Sequence, residues 1–211
     1  MKLMILGATG LVGEYVLQQA LLNPGITQII VPVRKPLALD YEKLQVVEVD
    51  FEHLPEDDAF WQVDAVISAL GSTMKKAGSK AAFRHVDYDY PLIFAKKAQQ
   101  HGAKIFALNS AMGASANSPI FYSKVKGELE QALTDLNFVS LTLVRPGIIA
   151  GERQESRPAE QWTLNILEKI KPILPKVLQP SPAQNIAKAL LKSVVEAKPG
   201  VHIISASQLA E

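Results

Sequence analysis

Residues 3–20, "LMILGATGLVGEYVLQQA", decide the fold. Leu3 to Leu6 read as a short strand. Gly7, Gly10 and Gly13 follow at once, and from Leu11 onward apolar residues recur at helical spacing. Glycines between a strand and a helix let the chain turn tightly, let a pyrophosphate approach the backbone, and let the helix sit close to the strand. Free N–H groups at the start of the helix then face the anion. The spacing is G-x-x-G-x-x-G and departs from G-x-G-x-x-G, so the strand–turn–helix setting weighs more than the letters. Packing alone is the competing reading. A dinucleotide loop here would use Gly7, Thr9, Gly10, Leu11, Val12 and Gly13.

Outward from this unit, short β-rich runs alternate with stretches of helical period, the pattern of a parallel sheet with crossover helices. The strands read as "KLMIL", "QIIVPV", "LQVVEV", "VDAVISAL", "KIFALN", "FVSLTLV" and "VHIIS". The helices read as "LVGEYVLQQALL", "YPLIFAKKAQQHG", "YSKVKGELEQALTDL", "EQWTLNILEKI" and "PAQNIAKALLKSVVEA", with Pro91 expected in the first turn of its helix. Strands apolar on both sides suit a sheet covered on both faces. The fold class is α/β, a doubly wound parallel sheet of Rossmann type. The 211 residues form one domain, 1–211, with the proline-rich stretch 146–182 a small insertion on the substrate side.

Composition removes several functions. With no cysteine, disulfides, thiol catalysis and cysteine metal ligation are excluded, and the four histidines lie far apart, so no metal is expected. A net charge of +1 with scattered lysines gives no electrostatic case for nucleic acid or an anionic membrane. No run of eighteen apolar residues is present, and the N-terminal apolar run is broken by Gly7 and Gly10, so a soluble, cytoplasmic protein is expected.

Four further segments fall at strand ends. Arg34 and Lys35 after the second strand would accommodate the 2′-phosphate of NADP(H), a solvated basic turn being the alternative. Asp50 and Phe51 follow the third strand, where Asp50 could accept from the adenine amino group. Ala69, Leu70 and Gly71 end the fourth and would let the dinucleotide pass close to the backbone. Tyr122 and Lys126, at i and i+4, share a helical face after the fifth strand and its loop, which begins at Ser110. A phenol with a reference pKa near ~10 is a poor acid–base group at neutral pH, and a neighbouring ammonium favours its phenolate. Lys126 would do this and could hold the ribose hydroxyls. Ser110 would bind the substrate oxygen, and Tyr122 would exchange the proton as hydride moves at the nicotinamide.

Taken together, "GATGLVG", Ser110, "YSKVK" and "RPG" resemble the short-chain dehydrogenase/reductase superfamily in its compact atypical branch. "FRHVDYDY", "FYSKVKGELE" and "RPGIIAGERQESRPAE" are similar to the oxidoreductase family of the Tat-interactive protein. The resemblance implies a cofactor loop at Gly7, Gly10 and Gly13, an active-site Ser110 where relatives often show two adjacent serines, the Tyr122/Lys126 pair, and Pro146 and Gly147 on the nicotinamide side. Arg153 and Arg157 in "GERQESRPAEQW" would meet an anionic substrate or a partner, or else be solvated charges beside a helix capped by Ser156. The expected activity is NADPH-dependent reduction of a small carbonyl compound; the alternative is an NADPH-binding regulatory sensor without significant turnover. A homodimer or a protein partner is compatible with either.

Overall fold

A computed structural model describes residues 1–56, 58–150 and 179–210. Seven strands form one parallel sheet: β1 (Lys2–Leu6), β2 (Gln28–Val33), β3 (Leu44–Glu48), β4 (Ala65–Ser68), β5 (Ile105–Asn109), β6 (Ser140–Arg145) and β9 (Gly200–Ser205). Their order across the sheet is β3-β2-β1-β4-β5-β6-β9. Every neighbouring pair is parallel. The order reverses between β1 and β4, and ligands of open α/β sheets bind at the carboxyl ends beside such a reversal. The chain thereby brings Gly7 after β1 and Ala69 after β4 to the same edge, where Ala69 N–H donates to Leu6 O at 2.9 Å.

Alternation along the strands builds two cores. Leu3 and Ile5 face α1 (Leu11–Leu22) and α7 (Ala183–Glu196), which also pack against each other through Val16, Leu17, Ile186 and Leu190. Met4, Leu6, Val66, Phe106 and Leu108 face the other way, toward α5 (Tyr90–Gln100) and α6 (Phe121–Asp135) with Phe94, Ala98, Leu129 and Leu133. Trp61, on the short α2 (Asp58–Trp61), is fully buried in this second core, and Val201 and Ile203 on the edge strand β9 are half exposed. Sealing both faces of the central strands is the expected driving force, with each fully buried large side chain contributing about 1.5–3 kcal/mol.

Short elements frame the carboxyl edge. After β4 come α3 (Met74–Ala77) and α4 (Lys80–Arg84), each capped by a hydroxyl: Thr73 accepts from Lys76 N–H and Ser79 from Ala82 N–H. Pro91 lies in the first turn of α5, as expected, and a π-turn, His85–Asp89, joins that helix to α4. The physical reason lies in the proline. An α-helical residue 91 would donate to the carbonyl of residue 87, which proline cannot do, and its ring would collide with that carbonyl. The turn widens instead, and Tyr90 N–H reaches five residues back to His85 O.

The 146–182 region leaves and returns at one place, where β7 (Ile149–Ala150) pairs with β8 (Ser181–Pro182). The expected helix "EQWTLNILEKI" and the loop with Arg153, Ser156 and Arg157 lie outside the described residues. The chain closes with α8 (Ala206–Leu209).

Candidate functional site

The glycine turn is built by backbone contacts that admit no side chain. Gly7 has φ +78°, and a Cβ there would stand 2.8 Å from the backbone of Ala69. A Cβ on Gly13 would stand 2.0 Å from Gly7 O, so α1 starts in contact with the end of β1. Gly10 N–H donates to Gly7 O at 3.0 Å and Glu14 N–H to Gly10 O at 2.8 Å. Gly10 occupies the cap position of α1 without any side-chain cap, so the first-turn N–H groups of Leu11, Val12 and Gly13 are left for an external acceptor. Thr9 and Gly10 are exposed above them. These features fit a pyrophosphate approaching the backbone at a helix N-terminus.

Beside the turn lies a cleft of about 280 Å³ lined by Arg34, Glu48, Val49, Asp50, Phe51 and Tyr90. Arg34 and Lys35 are exposed, whereas Phe51 is buried with its ring edge-to-face on Tyr90, centroids 5.3 Å apart. Asp50 is occupied locally: Oδ2 meets His53 Nδ1 at 2.8 Å and Oδ1 accepts from Glu52 N–H at 2.9 Å. The His53 bond, reinforced by the Glu52 amide, holds the Asp50 carboxyl below its ordinary range.

Behind the cleft, Glu52 accepts from Tyr90 OH at 2.5 Å and meets His85 Nε2 at 2.8 Å, while His85 Nδ1 meets Asp89 at 3.0 Å. Burial, then the Glu52 bond, pushes the Tyr90 phenol up to about 12. The Asp89 and Glu52 bonds raise His85. Tyr90 is thus a fixed, neutral donor in the cleft wall.

Further along the carboxyl edge, α6 presents Tyr122, Lys126 and Glu130 in one line at i, i+4 and i+8. Tyr122 is 37% exposed at the mouth, its ring 5.5 Å from that of buried Phe83 on α4. Lys126 is buried, with Nζ 2.7 Å from Asp87 Oδ1. Ser110 is buried too, and its hydroxyl donates to Glu130 Oε1 at 2.5 Å. Glu130 in turn holds Arg145 at the end of β6, whose Nε donates to Oε1 at 3.0 Å; this partner raises the guanidinium further. The Ser110 proton therefore faces a carboxylate in this arrangement. Pro146 is buried and its carbonyl accepts from Met112 N–H at 2.8 Å, zipping the ends of β5 and β6 together beside half-buried Gly147.

One further glycine sets the position of α6: a Cβ on Gly127 would meet the backbone of Ser115 and Ala116 at 2.1–2.3 Å. The loop after β5 consequently lies directly on the helix that carries Tyr122. Asp87, Glu130 and Gly127 were missing from the sequence reading. For Gly127 a signal existed, a glycine inside a helical pattern, which usually marks a close approach. Leu70 is half-buried and Gly71 exposed, both at the crevice after β4.

The chain matches the NAD(P)H-binding family over residues 7–164. The protein FMP52, mitochondrial, of Lodderomyces elongisporus is 34% identical across 100% of this chain and 95% of its own length. HTATIP2 of Rattus norvegicus is 39% identical over 74% of this chain and 66% of its own. Among solved structures, a short chain dehydrogenase family protein from Francisella tularensis superposes with a TM-score of 0.68 at 15% identity, covering 100% of this chain and 99% of that one. MoeE5 in complex with UDP-glucuronic acid and NAD reaches 0.73 at 12% identity, over 96% and 75%. These likenesses establish the doubly wound fold of short-chain dehydrogenases. Relatives from Candida albicans, Lodderomyces elongisporus and Emericella nidulans are named mitochondrial, and this corrects the cytoplasmic location expected from the sequence.

Proposed function

The chain belongs to the NAD(P)H-binding family, in the atypical branch of the short-chain dehydrogenases/reductases, and on that premise we propose that it is an NADPH-dependent reductase of a small carbonyl compound. The observation that carries this reading is α6. Tyr122 stands half open at the mouth with buried Lys126 one turn behind it, on the carboxyl edge that also holds the glycine turn and Gly71. Bound NADPH would supply the hydride. The pyrophosphate would lie on Gly7, Thr9, Gly10, Leu11, Val12 and Gly13, the adenine side against Asp50 and Phe51, and the dinucleotide would pass over Ala69, Leu70 and Gly71 toward Pro146 and Gly147. Lys126 would hold the nicotinamide ribose, and Tyr122 would give the proton to the carbonyl oxygen. For Ser110 to bind the substrate oxygen as expected, its hydroxyl would have to leave Glu130, to which it donates at 2.5 Å. Exposed Met112 and Ile120 on the segment between β5 and α6, and Ile148 after β6, favour an apolar carbonyl substrate.

The reading is tested by following NADPH oxidation against small aldehydes, ketones and quinones. Turnover with apolar members of the panel is expected; tight NADPH binding with no turnover across the panel would instead favour the sensor. Cofactor choice has its own test. Replacing the exposed Arg34 guanidinium, Arg34→Ser, should weaken NADPH about tenfold while leaving NADH within about twofold, because only the 2′-phosphate loses a charged donor. Equal losses for both cofactors would remove the NADP assignment.

A further inference from the structure

From Ala65 to Val86 the chain carries four lysine and arginine side chains, Lys75, Lys76, Lys80 and Arg84, and not one acid, although the whole protein has a net charge of only +1. The excess is local. This stretch leaves β4 past Gly71 at the crevice and ends on the helix whose Phe83 lies against Tyr122. Arg84 is spent on Glu128. Lys75, Lys76 and Lys80 are exposed and form no ion pair among the described residues.

The backbone that carries these three cations is held. Ser72 N–H donates to Asp87 Oδ2 at 2.7 Å, Lys76 N–H to Thr73 Oγ1 at 3.2 Å and Ala82 N–H to Ser79 Oγ at 3.1 Å, while Gly78, at φ +77°, turns the chain between α3 and α4. Lys80 is also tied to the mouth of the crevice. Its Nζ stands 5.3 Å from the centroid of Phe121, which lies 5.9 Å from that of Phe83, which in turn lies 5.5 Å from that of Tyr122. An ammonium is attracted to an aromatic face, so this cation borders the ring cluster that presents the Tyr122 hydroxyl. Like charges along the rim of a cleft raise the local concentration of an oppositely charged ligand.

We propose that Lys75, Lys76 and Lys80 form a cationic rim that selects a carbonyl substrate bearing an anionic group, a carboxylate or a phosphate monoester, at the end away from the carbonyl. The carbonyl enters toward Tyr122 and the anion stays at the rim. The inference deepens the reductase reading above and rests on it for the orientation of the substrate. An apolar body between the two ends suits exposed Met112 and Ile120. Lysine fits the task, because its ammonium is a point charge on a flexible stem and accepts either anion.

The test compares para-formylbenzoate and para-formylphenyl phosphate with the neutral methyl para-formylbenzoate, both as substrates and as ligands in the presence of NADPH. Wild type is set beside Lys75→Gln, Lys76→Gln, Lys80→Gln and the triple variant. All three side chains are exposed, so melting temperatures are expected to stay within about 2 °C of wild type. Wild type is expected to prefer at least one anion over the ester by about tenfold, and the preference to fall to about twofold or less in the triple variant and at high salt. The stronger of the two anions distinguishes carboxylate from phosphate. No NADPH oxidation with any of the three compounds would defeat the reductase, and the same preference is then read from binding alone. Equal handling of anions and ester by wild type, a preference that survives in the triple variant, or a loss of NADPH affinity that matches the loss for the anion would each overturn the proposal.

Discussion

Gly13→Ala is expected to weaken NADPH binding by about a hundredfold or more in a protein that still folds. The added methyl would stand 2.0 Å from Gly7 O, 2.7 Å from Gly7 C and 2.8 Å from Ala8 Cα. All three are backbone atoms, so no side chain can swing aside. Gly7 O also accepts from Gly10 N–H at 3.0 Å, and the turn's own hydrogen bond lies in the path of the clash. Relief requires α1 to withdraw from the end of β1. Val12, Val16, Leu17 and Ala20 hold it in the core, and α7 lies across it. Overpacking of this kind costs roughly 1–3 kcal/mol, a fall in melting temperature of about 3–10 °C. Binding suffers more than stability, because the first-turn N–H groups and Gly10 are the parts displaced. Fluorescence titration of NADPH beside a thermal melt separates the two effects. Affinity within threefold of wild type in a folded variant would mean that the pyrophosphate does not sit on this turn.

Much of this architecture could be read in the chain because it depends on local pattern. The first strand and helix were legible from the period change at Gly7 to Gly13, and QIIVPV was legible as a strand from its unbroken apolar run. The edge strands β3 and β9 departed from the expectation of strands buried on both sides: β9 leaves Val201 and Ile203 half exposed, since nothing in a strand's own letters tells which rank it takes in a sheet. Tertiary partners were the least legible. Asp87 reads as one acid among several in "FRHVDYDY", and only the meeting of the π-turn with α6 makes it the partner of Lys126. Glu130 likewise looks like an ordinary helix glutamate, yet it accepts from the Ser110 hydroxyl and the Arg145 guanidinium together. Pro91 was legible and stands in the first turn of α5, but its letter alone does not tell that a widened turn joins this helix to the one before it.

Tyr122→Phe should reduce turnover by about 10²–10⁴-fold while leaving NADPH affinity within about threefold. The substitution removes one oxygen from a ring that is 37% exposed at the mouth of the crevice. The ring's contact with Phe83, centroids 5.5 Å apart, needs no hydroxyl, so stability should change by no more than about 0.5 kcal/mol. Among the described residues the phenol has no hydrogen-bond partner, and its loss strands no buried group. Any fall in rate then reports on the proton, not on the fold. The other hydroxyl of the expected set is Ser110, but it is buried and donates to Glu130 at 2.5 Å. A carbonyl whose carbon receives hydride in this crevice would therefore draw the proton for its oxygen from Tyr122 or from solvent. Solvent delivery predicts a Tyr122→Phe rate within about threefold of wild type, and that result would remove Tyr122 from the chemistry. A large loss with intact NADPH binding is the signature of a group used in the transition state and not in cofactor affinity.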